Sequence, residues 1–314
     1  MQLNRRAWDI CRRMTDSADV LRIVPQKARN GTQLIDCGIH TPGGLEAGRM
    51  LAECCMAGLG HVRFLPGRGE LGGWPAVQVR TDHPVAACLA SQYAGWEIKN
   101  PDYFAMGSGP MRATANRETL FESIGYVEQT DIAVGVLEAG SLPPDAVSDR
   151  LAADCGVATE DLILLVARTA CQAGNVQIVA RSVETTLHKL VELTFDVDRI
   201  ESAYGTAPLP PVARNDLDGI GRTNDAILYG AEVALWCRGD DESLSQIGPQ
   251  LPSSSSTDHG KPFAEIFAHY DHDFYKIDRL LFSPAAVTLI NLDTGRTARF
   301  GGTRPDLLQQ SFTE

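Results

Sequence analysis

Short apolar runs alternate with segments of helical period along most of this 314-residue chain, and that alternation confines it to an α/β architecture. Residues 32–39 (TQLIDCGI), 74–80 (WPAVQVR), 131–140 (DIAVGVLEAG) and 161–167 (DLILLVA) read as strands. Residues 45–59, after the turn TPGG, read as an amphipathic helix, and residues 83–95 as a helix of small residues. PPDAVSDRLAADCG opens on prolines and ends a helix at Gly156. Residues 286–300 read as a β-hairpin turning at Asp293, Thr294 and Gly295. Two strand–loop–helix units, at 32–59 and 162–190, loosely resemble one another.

A chain of this length can bury a sizeable core and is expected to form two domains with mixed α/β content, at about 1–205 and 206–314. The second is allowed to intertwine with the first. The proline-rich segment 207–216 (APLPPVARND) is the expected linker or crossover, and 252–263 (PSSSSTDHGKPF) reads by composition as a disordered linker.

The net charge of −12 argues against general binding to nucleic acid or to an anionic membrane, both of which need a basic surface. No apolar run approaches the roughly 18 residues of a membrane span. The opening MQLNRRAWDICRRM reads as an amphipathic helix with Leu3, Ala7, Ile10 and Cys11 on one side, not as a secretory signal. The expected location is the cytoplasm. Eight scattered cysteines without a C-x-x-C pair read as buried free thiols. The one local histidine cluster, HYDHD at 269–273, lacks a second ligand motif, so no metal is expected.

Residues 176–190 (VQIVARSVETTLHKL) read as one helix. Val176, Val179, Val183, Leu187 and Leu190 form its core stripe, while Gln177, Arg181, Glu184 and His188 group opposite. Spacing alone makes Arg181 and Glu184 an ordinary solvated salt bridge. If that face looks into a cleft, Glu184 is placed to activate water and Arg181 to orient it. The loop MGSGPMRA offers Gly107, Ser108, Gly109 and Arg112 as donors to a phosphate or carboxylate, although a lone GSG is more often a turn. Arg222, Thr223, Asn224 and Asp225 suit a heteroaromatic ring with amide edges, with a helix cap the competing role for Asn224 or Asp225.

These segments occur in a fixed order: IDCGIHTPGGLEAGR, GSGPMRA, ARTA-x-x-AGN-VQIVARSVETTLHKL, GRTNDAILYG, PSSSS-x-x-HGKPFAEIF and DFYKID-x-LLFSPA. The set closely resembles methenyltetrahydromethanopterin cyclohydrolase, over about residues 1–302. Met111, Cys171, Gln172, His259 and Arg279 depart from the usual pattern, and none of them is Arg181 or Glu184. The resemblance implies two α/β domains with a cleft between them, a homotrimer, and no metal or redox cofactor. The implied reaction is hydrolysis of N5,N10-methenyl-tetrahydromethanopterin to the N5-formyl compound. The family's catalytic Arg and Glu match Arg181 and Glu184; His188 either hydrogen-bonds Glu184 from behind or simply closes the helix face.

The glycine loop, Arg222 to Asp225, and Ser254 and Ser255 become candidates for pterin or phosphate contacts, and Lys261 and Lys276 for the anionic tail. Asp36 and Cys37 are further cleft candidates, with packing the competing role. A folate-type methenyl cyclohydrolase and a non-catalytic pterin-binding protein of the same fold are the competing readings.

Overall fold

The computed structural model describes residues 1–313, apart from the side chain of Tyr275. In chain order the first six strands are β1 (Val24–Lys27), β2 (Gln33–Asp36), β3 (Gly60–Leu65), β4 (Ala76–Thr81), β5 (Trp96–Asn100) and β6 (Tyr103–Ser108). The rest are β7 (Ala133–Ala139), β8 (Leu162–Ala167), β9 (Ile200–Pro208), β10 (Glu232–Cys237), β11 (Ala286–Asn291) and β12 (Thr297–Gly301). They form two mixed six-stranded sheets, ordered β1-β2-β8-β7-β6-β5 and β12-β11-β10-β9-β4-β3.

The chain separates into two compact units, one of residues 1–60 and 86–177, the other of residues 61–85 and 178–314. This differs from the expected division at 1–205 and 206–314. The reason is strand pairing: β4 lies antiparallel to β9, so the early segment 61–85 belongs with the late sheet. The proline-rich segment 207–216 falls inside the second unit, where β9 runs through Ala207 and Pro208.

In the first unit β2, β8 and β7 are parallel and buried on both faces, which accounts for the unbroken apolar run of β8. Ile35, Val134, Val136, Ile163 and Leu165 pack with the helices Leu3–Asp16 and Leu45–Cys55. Leu34, Ala133, Leu137, Leu162, Leu164 and Val166 pack on the other side with Met111 and the helix Asp145–Cys155. That helix closes at Gly156, whose φ of 68° is the left-handed conformation of a C-terminal cap. The expected small-residue helix is present at Val85–Gln92 but is a π-helix. All eight cysteines are buried thiols outside any disulfide.

In the second unit β10 and β11 are parallel, and β9 and β12 flank them antiparallel. The helix Ser182–Glu192 packs on β9, where Gly205 permits the close approach: a Cβ there would stand 2.5 Å from Ser182 Oγ. The serine run is not a disordered linker. It forms the 3₁₀ turn Ser253–Ser255, with Ser253 Oγ bonded to the Leu228 carbonyl at 2.5 Å and Ser256 Oγ to Asp278 at 2.6 Å. The expected hairpin is present as β11 and β12, and Gly295 takes a φ of 73° in its turn. No helix among the described residues is long and apolar enough to cross a membrane.

Candidate active site

The segment expected to be one helix from 176 to 190 is two helices, Gln172–Val179 and Ser182–Glu192, interrupted at Ala180 and Arg181. Arg181 is therefore the N-cap of the second helix and Glu184 lies in its first turn. The Arg181 carbonyl accepts from the Thr185 N–H at 2.9 Å, which starts the helix. Position in the first turn sets the Glu184 carboxylate against the positive end of the helix dipole.

Both side chains are buried, 9% and 5% exposed, and Arg181 Nη1 lies 3.6 Å from Glu184 Oε2. At that distance the contact is an ion pair, not a hydrogen bond. The apolar stripe from Val176 to Leu190 is buried as expected. The opposite face is buried too at Gln177, Arg181 and Glu184, so the solvated-salt-bridge reading does not hold. His188, 18% exposed, faces Glu192 at 3.6 Å.

One residue later, Lys189 is fully enclosed and donates to the carbonyls of Pro252 and Leu280 and to Ser255 Oγ, at 2.9, 2.5 and 2.8 Å. Burial pulls its ammonium down to about 8, against the opposing charge of Asp278. The lysine ties the serine run to the helix that carries Glu184. Ser255, a predicted substrate contact, thus engages its hydroxyl with Lys189 and the Pro252 carbonyl, although both it and Ser254 are exposed residues.

The residues 222–225 lie inside the helix Asp216–Gly230. Its cap is Asn215, which accepts from the Asp218 N–H at 2.9 Å, so neither Asn224 nor Asp225 caps it. Thr223 and Asn224 bond back to carbonyls one turn earlier, and Arg222 reaches the Pro211 carbonyl at 3.4 Å. Asp225 is buried and accepts the Phe263 N–H at 2.8 Å. Burial pushes its carboxyl up to about 7, against the smaller downward pull of the Ser311 hydroxyl and the Phe263 N–H.

The glycine loop belongs to the first unit and is engaged in structure. Gly107 and Ser108 end β6, and Ser108 Oγ donates to the Val136 carbonyl at 3.2 Å. Gly109, at a φ of 90°, donates its N–H to the Ser91 carbonyl at 2.8 Å. Arg112 is fully buried, doubly bonded to Glu118 at 2.7 and 2.6 Å and to the Leu89 carbonyl at 2.9 Å. The rings of Tyr93 and Phe121 flank its guanidinium at 5.0 and 5.2 Å. It is an internal brace, not a phosphate donor.

Sequence reasoning passed over Glu138 and Thr169. They lie at the carboxyl ends of the parallel strands β7 and β8, the edge where open α/β sheets bind ligands, and the Thr169 hydroxyl donates to the Glu138 carboxylate. The signal available was the end of each strand. Asp36, at the same edge of β2, accepts the N–H groups of Gly38, Ile39 and His40 at 2.9, 2.7 and 2.9 Å, and so shapes its own loop. Cys37 is buried within the core, where burial raises its thiol well above the ordinary value.

The model of the family described as Cyclohydrolase (MCH) matches residues 2–312. A relative from Rhodopirellula baltica is 45% identical over 315 residues, covering 99% of this chain and 94% of its own length. One from Methylobacillus flagellatus is 44% identical over 311 residues, covering 99% and 95%. One from Methanocaldococcus jannaschii is 39% identical over 317 residues, covering 99% and 98%. All three are named methenyltetrahydromethanopterin cyclohydrolase.

The chain belongs to the methenyltetrahydromethanopterin cyclohydrolase family.

Cyclohydrolases of this name are hydrolases acting on a cyclic amidine, and this chain is such an enzyme. The Arg181–Glu184 pair sets a buried carboxylate beside a buried guanidinium, an arrangement chemically able to take up and return a proton.

Proposed function

We propose that this cyclohydrolase converts N5,N10-methenyl-tetrahydromethanopterin and water to the N5-formyl compound, reversibly, with Glu184 as proton acceptor and donor and Arg181 positioning it. The observation that carries the reading is the burial of the pair at the start of its helix. The reacting carbon is a formamidinium cation, already electrophilic, so the step calls for a nucleophile and a proton route, with no Lewis acid or redox cofactor.

A carboxylate beside that carbon stabilises the cation and receives the proton as the water oxygen bonds to it. Glu184 then returns a proton to N10 as the C–N10 bond breaks, and the remaining hydroxyl proton leaves to solvent. One proton is released per turnover and the formyl group stays on N5. Arg181, held by its cap position, keeps the carboxylate aimed, while His188 supports the helix face behind it.

For the rest of the substrate we retain Arg222, which is half-exposed, and Ser254, which is exposed. A homotrimer working in the cytoplasm completes the reading. The decisive experiment assays the methenyl compounds of tetrahydromethanopterin and tetrahydrofolate side by side, by loss of methenyl absorbance. Turnover of the folate compound alone would replace the substrate assignment, and tight binding without turnover would reduce the protein to a pterin binder.

A further inference from the structure

Hydrolysis leaves a proton to be removed. Of the two protons of the attacking water, one ends on N10 as the C–N10 bond breaks and the other is released. Glu184, the proposed acceptor, is 5% exposed. A carboxyl so enclosed regains its charge only by handing the proton to a neighbouring group, because an apolar surround does not solvate a free proton.

The way out along the helix is narrow. From Arg181 to Leu190 every residue is buried except Thr185 and His188. The Thr185 hydroxyl donates to the Ser182 carbonyl at 3.0 Å, back within the same helix. His188 stands four residues after Glu184 and Glu192 four after His188, the spacing that sets side chains above one another on one helix face. Each Cα–Cβ bond tilts toward the helix start, so each side chain leans back over the one before it. The outer contact shows this: His188 Nε2 lies 3.6 Å from Glu192 Oε1. Exposure rises along the row, from 5% at Glu184 to 18% at His188 and 28% at Glu192. Beyond it Arg279, 67% exposed, meets Glu192 at 3.5 Å, which places that carboxylate at the protein surface.

We propose that His188 and Glu192 form a relay that carries the released proton from Glu184 to solvent. The relay rests on the role given to Glu184 above and adds the route by which that residue is reset after each turnover. Imidazole suits the middle position. It exchanges protons near neutral pH, and its two ring nitrogens let it accept on one side and donate from the other.

In the hydrolytic direction one ring nitrogen accepts the proton from Glu184, Nε2 gives its own proton to Glu192, and Glu192 passes it to water. One proton enters the ring and one leaves, and the half-exposed ring recovers its first tautomer by exchange with water. The gap to Glu192 is closed by a small turn of the ring or by one bridging water. The three groups span about 12 Å of helix axis, a distance that a single proton transfer does not cover and that two or three short ones do.

The test measures kcat and KM at fixed ionic strength while imidazole is raised from about 5 to 100 mM, for wild type, His188→Ala, His188→Gln, Glu192→Gln and Glu184→Gln. With wild-type circular dichroism throughout, His188→Ala should lose at least about 10-fold in kcat at unchanged KM and regain most of it in imidazole, an external proton carrier. His188→Gln, which hydrogen-bonds but carries no proton, should behave as His188→Ala does, and Glu192→Gln should lose about 3-fold. Wild type should not respond to the buffer. Wild-type kcat in His188→Ala, recovery in His188→Gln, or a loss that imidazole does not relieve overturns the relay alone, provided that Glu184→Gln stays low at every imidazole concentration. Wild-type turnover in Glu184→Gln overturns the acceptor, and the relay with it.

Discussion

Arg181 caps the helix whose first turn carries Glu184, and its guanidinium stands 3.6 Å from that carboxylate with both side chains buried. The pair is fixed by backbone geometry as much as by charge, because the cap position leaves the arginine outside the helix and facing its first turn.

Replacing Glu184 with Gln keeps the shape and removes the proposed proton acceptor. Turnover at saturating substrate should fall by at least about 100-fold with binding largely retained. Wild-type turnover in this variant would take Glu184 out of the chemistry.

Arg181→Lys keeps the charge and loses the planar fork. A drop of about 10-fold or more in kcat with an unchanged melting temperature is expected, since an ammonium on a flexible stem does not hold the carboxylate in one orientation. Equal loss of kcat and of stability would instead mark Arg181 as purely structural.

Arg112→Met should destabilise the first unit by about 3–5 kcal/mol, because it strands Glu118 beside a fully buried position. Denaturant titration measures this. A midpoint within error of wild type would contradict the internal-brace role.

Asp225 predicts a pH signature. Its folded carboxyl lies near 7 and its ordinary value is 3.8, so the folded state binds the proton more tightly than the unfolded chain does. The resulting stability is fully present below about pH 4 and is lost as pH rises through about 7. Asp225→Asn removes this dependence. It should gain stability relative to wild type between pH 4 and pH 8, by an amount on the order of a few kcal/mol. A difference between the two proteins that does not change across that range would refute the assignment.

Much of this was readable from residues close together in the chain. The β8 run, the Gly156 helix stop and the stripe from Val176 to Leu190 are local patterns, and each stands where its periodicity or turn chemistry put it. What escaped depends on partners far away. The break at Ala180 and Arg181 carries no proline or glycine to announce it. The serine run looks disordered by composition, yet Lys189, Leu228 and Asp278 hold it from distant positions. Arg112 resembles a phosphate donor in the sequence, whereas in the fold Glu118 and the Leu89 carbonyl use its donors. Arg181 and Glu184 were legible as a pair, but their burial was not, since periodicity had assigned them to the solvated face.

The pairing of β4 with β9 also orders events during synthesis. Residues 61–85 leave the ribosome early, but the strand that receives them is not made until residues 82–199 have followed. A nascent chain must therefore carry the β3–β4 pair without its β9 neighbour while residues 86–177 assemble around their own sheet. A truncation ending near residue 177 would produce one finished unit trailing an orphaned pair of strands, a segment with the makings of a chaperone client.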